Sequence, residues 1–544
     1  MKINHVKTRP FPDQKPGTAG LRKRVEVFRQ PHYLENFVQC VLDCIDPADD
    51  ATLVIGGDGR YYNREAIQVI IRLSAGNGVR HLLIGRGGLL STPAASHLIR
   101  SSGASGGFIL TASHNPGGPD GDFGIKFNTG NGGQASETLT DRIYACTQTI
   151  AEYRIAELPD VDVDSPGRRD AGTCEVRVVD AVADYAALME RLFDFDRMQD
   201  LLRRPGFRMR FDAMHAVTGP YALEILERRL GAPEGTVVNS VPLEDFGGGH
   251  PDPNPVDAAA LVRDMRETTS PDFGAASDGD GDRNMILGRN FFVSPGDSLA
   301  VLAARADVAP GYRDGVAGVA RSMPTSRAVD RVSAARGVPC YETPTGWRFF
   351  CNLLDAGRID ICGEESFGTG SSHVREKDGL WAVLFWLDLQ AATGLSVEAL
   401  VRAHWAEFGR NFFSRHDFFL PEVSAARAVV AHLRDELGKL PGRTVADFRV
   451  TRADDFRYID PVDETLSEHQ GIRIHFEDDS RVVYRLSGTG TQGATLRVYL
   501  ERHSSVAGDP AESSAAVLDS LANAALDLAR IPELTGLRAP AAVI

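Results

Sequence analysis

The sequence predicts an α/β protein made of three tandem mixed α/β domains and a C-terminal α+β domain with an antiparallel sheet. Three observations carry this expectation. Strand and helix patterns alternate through the first three quarters of the chain, as repeated βα units do. Past residue 405 the texture changes to alternating or β-branched runs joined by short turns. The chain has 544 residues, well beyond the ~250–300 at which a single core stops growing. The expected divisions are 1–185, 186–297, 298–408 and 409–544.

In the first domain, 52–56 and 81–85 read as strands, 64–74 and 92–100 as helices, and 107–110 as a short buried strand. The second carries the run 207–211, a helix over 221–230 and a strand at 273–277. In the third, runs at 316–319, 338–341, 347–354 and 359–362 interleave with helices at 325–336 and 379–391. The last opens on a helix at 424–437, continues through strand patterns at 443–450, 471–476, 481–486 and 494–500, and closes on a helix at 511–528.

Composition narrows the function classes. Hydrophobic residues at 43% and charged residues at 24% are globular values, which excludes disordered, collagen-like and membrane classes. The longest apolar run, 380–387, is too short for a bilayer and no signal-peptide core opens the chain, so no membrane partner is expected. Seven cysteines, Cys40, Cys44, Cys146, Cys174, Cys340, Cys351 and Cys362, are scattered without a CxxC pair. Neither a disulfide framework nor a zinc ribbon is suggested, and a cytoplasmic location is expected. Fifty-nine basic against 74 acidic residues give a net charge of −15, which argues against nucleic acid or anionic lipid as a general partner. An anionic substrate must therefore be caught by a local basic cluster.

Four segments carry chemistry. Thr111-Ala112-Ser113-His114-Asn115-Pro116 follows the 107–110 strand and presents a serine where open α/β sheets place their ligands, with Lys126 a short loop away. Ser277-Asp278-Gly279-Asp280-Gly281-Asp282-Arg283 closes a strand with three carboxylates at alternate positions, which extended backbone turns the same way, and the glycines let the backbone curl so that the oxygens converge. Carboxylates about 4 Å apart repel by roughly 4 kcal/mol at an effective dielectric near 20, so a hard cation, Mg2+ first, is implied. An EF-hand fails because Arg283 and Arg289 stand at the sixth and twelfth positions. Gly363-Glu364-Glu365-Ser366-Phe367-Gly368 offers carboxylates and a hydroxyl suited to sugar hydroxyl groups. Arg485-Leu486-Ser487-Gly488-Thr489-Gly490-Thr491 and the following Arg497 form a glycine and hydroxyl loop between strands, suited to a phosphate dianion. Its formal GxGxxG is no Rossmann fingerprint, because a strand pattern follows it instead of a helix. Near the start, Lys15, Arg22, Lys23 and Arg24 surround a glycine loop. A hydrolase reading of Ser113 and His114 is set aside because no GxSxG elbow is present and adjacent residues at a strand end point apart.

Taken in order, these motifs resemble the α-D-phosphohexomutases, and specifically the phosphoglucomutases. The resemblance rests on KPGTAGLRKRV at 15–25, TASHNPGG at 111–118, FGIKFN at 123–128, SDGDGDRNMILG at 277–288, ARSMPTS at 320–326, YETPTGWRFF at 341–350, CGEESFGTG at 362–370, REKDGLWAVL at 375–384 and RLSGTGTQGATLR at 485–497. It spans nearly the whole chain and implies phosphohexomutase-type domains. It also implies interconversion of α-D-glucose 1-phosphate and glucose 6-phosphate through a phosphoserine enzyme and glucose 1,6-bisphosphate. Ser113 is the implied phosphoryl carrier, and Asp278, Asp280 and Asp282, with a phosphoserine oxygen, the implied Mg2+ site. Arg22, His114, Lys126 and Lys377 are the implied positive groups at the reacting oxygens, with the proton carrier among them left open. Arg283 would orient the substrate, Thr18 belongs to the first substrate loop, and Glu364 and Ser366, with Thr345, Gly346 and Trp347, would hold the sugar. Arg485, Ser487, Gly488, Thr489, Thr491 and Arg497 would clamp the non-reacting phosphate. The implied partner is a small sugar phosphate, and the implied state a monomer or weak homo-oligomer. Departures from the usual pattern, Ala19, Arg348, Ser372 and Thr491-Gln492, remove no group the chemistry needs and bear on sugar preference and phosphate affinity.

Overall fold

The computed structural model describes residues 1–17, 19–45, 50–487, 493–505 and 512–544. The chain divides into two compact units: Met1–Pro295 with Arg305–Ala317 and Gly346–Glu398, and Gly296–Ala304 with Gly318–Thr345 and Ala399–Ile544. The stretch expected as a third domain thus contributes residues to both.

The first unit contains a seven-stranded mixed sheet. In spatial order its strands are Leu21–Arg24, Asp122–Thr129, Gly106–Leu110, Thr52–Gly57, His81–Leu89, Cys174–Val179 and Gly167–Ala171. The three central pairings are parallel, because the helices Asn63–Gly76 and Thr92–Ser102 return the chain over the sheet as crossovers. The flanking pairings are antiparallel. Leu53, Val54, Ile55, Leu82, Ile84, Phe108 and Ile109 are fully buried, so these strands read as continuous apolar runs, as strands covered on both faces do. Helix Thr92–Ser102 starts where Ser91 Oγ accepts from Ala94 N at 3.3 Å with Pro93 in the first turn.

A second sheet of this unit runs Val237–Val238, Met209–Asp212, Phe273–Ser277, Asn284–Gly288 and Phe291–Val293, parallel in its first two pairings and antiparallel after. Helix Gly379–Thr393 has no polar face; Leu380, Val383, Leu384, Phe385, Trp386 and Leu387 are all buried, which makes it a core helix. Its cap, Asp378, accepts from Trp381 N at 3.0 Å and Tyr185 Oη at 2.6 Å. Among the described residues no single helix is long and apolar enough to cross a membrane.

The second unit holds a seven-stranded antiparallel sheet ordered Thr444–Val445, Phe448–Asp455, Ile472–Phe476, Arg481–Ser487, Ala494–Ser504, Arg410–Leu420 and Ala542–Val543. Helices Val423–Glu436 and Ser514–Leu528 share its apolar core through Val429, Leu433, Leu518 and Leu521. The same unit contains the parallel pair Val319–Ser322 and Cys340–Thr343.

Four elements differ from their sequence patterns. The 221–230 helix is a short α-turn, Thr218–Ala222, running into a π-helix, Leu223–Arg229; the wider turn brings both Arg228 and Arg229 onto Glu224, at 3.2 and 3.0 Å. The 316–319 strand starts at Val319, because Ala317 N is taken by Asp360 Oδ2 at 2.7 Å. The 325–336 helix starts at Ala328, since Thr325 N closes a turn onto Ser322 O at 3.0 Å. The 443–450 run breaks into a hairpin at Ala446, whose φ is 49°.

Fully buried Arg481 donates to Met323 O and Thr325 O, both at 2.8 Å, and pairs with buried Glu501 at 2.9 Å. Glu501 also accepts from Ser326 Oγ at 2.8 Å and Arg327 N at 2.6 Å. Arg321 bonds Glu342 at 2.9 Å, and Arg473 reaches the same carboxylate. Burial pushes the Glu342 carboxyl up, but Arg321, Arg473 and Arg481 outweigh it and hold it at about 2. For Glu501, burial is likewise outweighed by Arg481 and Arg327, and its pKa is depressed. A carboxyl depressed by folding adds stability that is present above its unfolded value and lost as pH falls through the folded one. The unfolding midpoint of the wild-type chain should therefore fall as pH drops from about 4.5 toward 3. In Glu342→Gln the midpoint at neutral pH should be lower and its fall over that window shallower, as read by thermal melts across pH.

Candidate active site

The serine turn leaves strand Gly106–Leu110 and is folded tightly. Ser113 is buried, with a φ of 54°, a region uncommon for non-glycine residues. This backbone turns Ser113 Oγ to donate to Asp278 Oδ2 at 3.0 Å, with His114 Nδ1 3.3 Å away. The expectation that Ser113 and His114 point apart is therefore wrong. It assumed extended backbone, and the left-handed turn brings the two side chains together.

Asp278, Asp280 and Asp282 are all buried, and an oxygen of each lies within 4.8 Å of the others. They converge through a turn after strand Phe273–Ser277, the curl that the interleaved glycines lead one to expect. Asp278 Oδ1 accepts from the backbone N–H groups of Asp282 and Arg283 at 2.9 and 3.0 Å, which curls the loop around that carboxylate. Gly279 permits this, since a Cβ there would sit 2.4 Å from Ser113 O. Thr92 Oγ1 donates to Asp280 Oδ2 at 2.7 Å. Among the described residues Asp280 Oδ1 and Asp282 Oδ1 are buried without a hydrogen-bond partner. Burial, then repulsion from Asp280 and Asp282, drives the Asp278 pKa well up. Orphaned, convergent oxygen donors with an unmet demand for positive charge fit a hard divalent cation.

Cations surround this centre. Lys377 Nζ pairs with Asp282 Oδ2 at 3.1 Å; burial lowers its pKa, but Asp282, with help from Glu364 and Asp278, leaves it raised. Arg283 donates to Asp252 Oδ1 at 3.1 Å and stands 3.9 and 4.0 Å from Asp278 and Asp282. Lys126 Nζ donates to fully buried Glu376 at 3.1 Å. Arg22 lies opposite Gly124 on the strand pair that also carries Lys126; burial lowers its pKa, and Asp280 opposes that shift. The His114 pKa falls well below its ordinary value, through burial first and then Arg283 and Arg22.

The sugar loop is fastened to the aspartate loop. Phe367 O accepts from Asn284 N at 2.9 Å, and Arg283 bridges Gly368. Glu364 is buried, which raises its pKa, and its Oε1 accepts from Gly346 N at 3.0 Å. Ser366 is half-buried at the turn. Trp347 packs edge-on against Phe350 at 5.0 Å. Thr345 belongs to the second unit and, among the described residues, its Oγ1 has no hydrogen-bond partner. Arg348 pairs with Glu137 at 3.1 Å.

In the second unit, Arg485 and Arg497 face each other across an antiparallel strand pair, as do Ser487 and Thr495. Like charges directly opposite are unfavourable without an anion. Arg485 donates to Gln470 O at 3.3 Å and Tyr499 Oη at 3.5 Å, and Arg497 lies 3.8 Å from Asp417. Thr18, Gly488, Thr489 and Thr491 lie outside the described residues.

Sequence reasoning missed Asp58, Arg60, Thr92, Asp252 and Glu376, which orient groups it had found. The first two carried a signal: Gly56-Gly57-Asp58-Gly59-Arg60 ends a parallel strand at the edge where the other site loops lie. The remaining three carried none beyond their place in longer motifs.

Fold and site together set a buried serine hydroxyl against three convergent carboxylates at loops of mixed α/β sheets. Comparisons with known proteins supply the family. Family models describe phosphoglucomutase/phosphomannomutase α/β/α domain I over residues 13–154, domain II over 183–290 and domain III over 295–408. A phosphoglucomutase-1 C-terminal domain model matches 410–541. The chain belongs to the phosphoglucomutase/phosphomannomutase family. It is 58% identical to a phosphoglucomutase of Rhizobium radiobacter over 92% of each chain. It is 50% identical to the cytoplasmic phosphoglucomutase of Solanum tuberosum, covering 100% of this chain and 99% of that one. The open-form crystal structure of the Paramecium phosphoglucomutase parafusin matches with a TM-score of 0.92 at 44% identity, covering 100% of this chain and 99% of that one.

If the aspartate turn holds a cation, Mg2+ in place of a chelator should raise the thermal midpoint of the wild-type chain. Asp280→Asn should lose most of that rise, as read by thermal melts with Mg2+ and with EDTA.

Proposed function

We propose that this isomerase interconverts α-D-glucose 1-phosphate and glucose 6-phosphate by way of phospho-Ser113. The observation that carries the reading is the Ser113 hydroxyl held 3.0 Å from Asp278 inside the buried carboxylate group. The free hydroxyl of a bound hexose monophosphate attacks the phosphorus of phospho-Ser113. The bond from phosphorus to Ser113 Oγ breaks, the sugar hydroxyl loses its proton, and Ser113 regains one. The product is glucose 1,6-bisphosphate, which reorients; Ser113 Oγ then attacks the other phosphorus, the bond from that phosphorus to the sugar oxygen breaks, the serine hydroxyl loses its proton, and the sugar oxygen gains one. The serine ends as it began.

Phosphoryl transfer asks mainly for alignment and neutralisation of charge. Lys126, Lys377 and Arg22 supply fixed positive charge, His114 lies against the serine oxygen, and Arg283 orients the substrate. Asp278, Asp280, Asp282 and a Ser113 phosphate oxygen would hold Mg2+, which when bound supplies positive charge against the phosphoryl oxygens. Glu364, Ser366, Thr345, Gly346 and Trp347 are assigned to the sugar. Arg485, Ser487 and Arg497, with Thr18, Gly488, Thr489 and Thr491, are assigned to substrate phosphate and hydroxyl groups. The proposed functional division places Ser113 in 1–185, the aspartates in 186–297, the sugar loop in 298–408 and the phosphate loop in 409–544. The substrate is a small sugar phosphate, the proposed location is the cytoplasm, and the proposed state is a monomer or weak homo-oligomer.

Ser113→Ala should abolish turnover of glucose 1-phosphate, assayed with Mg2+ and a trace of glucose 1,6-bisphosphate, while its circular dichroism and melting midpoint stay near wild type. Wild-type rates in that variant would sink the reading. Arg497→Ala should raise KM by at least about tenfold, the order expected when a charge-assisted contact is lost, and leave the phosphate content of Ser113 unchanged by intact mass.

A further inference from the structure

Ser113 is held at both of its backbone polar groups, by Thr111 and Arg60, and Asp58 ties those two residues together. The Ser113 N–H donates to Thr111 Oγ1 at 2.7 Å, and its carbonyl oxygen accepts from Arg60 Nη2 at 2.7 Å. The Thr111 hydroxyl donates in turn to Asp58 Oδ2 at 2.6 Å, and Asp58 is bound by Arg60 Nε at 2.9 and 3.0 Å. The circuit from Asp58 through Thr111 and Ser113 to Arg60 thus closes on itself. Arg60 also donates to Asn115 O at 3.3 Å and Asp122 O at 2.9 Å, the two sides of the loop that follows the serine. Its guanidinium lies 5.2 Å from the Phe246 ring centre, a cation–π distance. Asp58 and Arg60 are wholly inaccessible to solvent, and Thr111 is 1% exposed.

Such an arrangement demands a reason. A buried ion pair gives weak net stabilisation, because desolvation offsets most of its attraction. A guanidinium spending its donors on three carbonyls of one loop is instead a geometric device, since its planar fork fixes their relative positions. The residue so fixed has a non-glycine left-handed backbone, a conformation that persists only where the surroundings impose it. That backbone is what turns Ser113 Oγ onto Asp278 and His114.

We propose that Asp58, Thr111 and Arg60 form a positioning frame that holds Ser113 in its left-handed turn and so aims its oxygen for phosphoryl transfer. None of the three touches the reacting atoms. The inference rests on the mutase reading of Ser113. Losing the frame should reduce turnover far more than substrate binding, because misplacing a reacting group by about 1 Å costs ~100-fold in rate.

The test uses the full-length chain with glucose 1-phosphate, Mg2+ and a trace of glucose 1,6-bisphosphate. Thr111→Val keeps the side-chain shape and removes the hydroxyl; Thr111→Ser keeps the hydroxyl. Arg60→Lys keeps the charge and loses the fork; because Arg60 is wholly buried, the threonine pair decides the matter. In Thr111→Val, kcat should fall by ~100-fold with KM within about twofold, and Thr111→Ser should restore kcat to within about threefold of wild type. Phosphate on Ser113, read by intact mass after incubation with glucose 1,6-bisphosphate, should form more slowly in Thr111→Val. The frame is overturned by wild-type kcat in Thr111→Val, by equal impairment of Thr111→Ser, or by activity lost only in step with the melting midpoint. An inactive wild type overturns the mutase reading and this inference with it, whereas an active wild type beside an active Thr111→Val overturns the frame alone.

Discussion

Three carboxylates held in a buried turn are the constraint around which the first unit is arranged. Asp278, Asp280 and Asp282 gather within 4.8 Å and, among the described residues, two of their oxygens have no hydrogen-bond partner, so the surrounding structure must supply positive charge or bind it. Lys377 and Arg283 approach from one side and Arg22 from another, while Thr92 gives a neutral hydrogen bond to Asp280. Burial first, and then Arg283 and Arg22, push the His114 pKa well down.

The second unit places its arginines in two settings. Arg481, Arg327 and Arg473 are answered by Glu501 and Glu342 inside a packed cluster. Such an array holds the Gly318–Thr345 stretch and the C-terminal sheet as one body. Arg485 and Arg497 stand opposite each other across an antiparallel strand pair, and Asp417, 3.8 Å from Arg497, is bound by Arg415 at 2.9 Å.

What the sequence made legible follows from how locally each feature is encoded. The serine turn, the aspartate loop, the sugar loop and the arginine strands each sit at the end of an apolar run, so strand pattern and loop chemistry are read from one short window. The alternation of strands and helices exposed the α/β order for the same reason. Features set by partners far along the chain stayed hidden. Glu376 lies 250 positions from the Lys126 it binds, and Arg60 lies 53 from the Ser113 carbonyl it holds. Buried Glu and Arg residues look like surface residues in composition. Local patterns also misled where a competing hydrogen bond intervened, as when Asp360 captured the Ala317 N–H and moved a strand start. The assumption of extended backbone failed at Ser113, whose φ of 54° no local pattern announces, whereas the glycines between the aspartates signalled the curl of that loop.

The close approach of Gly279 to the Ser113 carbonyl has a consequence for how variation in this chain will be interpreted. Gly379 shows the same crowding, since a Cβ there would lie 2.0 Å from Arg283 O. In both cases the space denied to a side chain belongs to a different loop, more than 90 positions away in sequence. An alanine at either glycine is thus a remote displacement of Ser113 or of Arg283. In a saturation mutagenesis map these inert residues will score alongside the reactive groups. Paired substitutions across the loops will show epistasis that no chemical role of glycine accounts for. The glycine spacing that makes the motifs recognisable is, in this respect, a record of which loops touch.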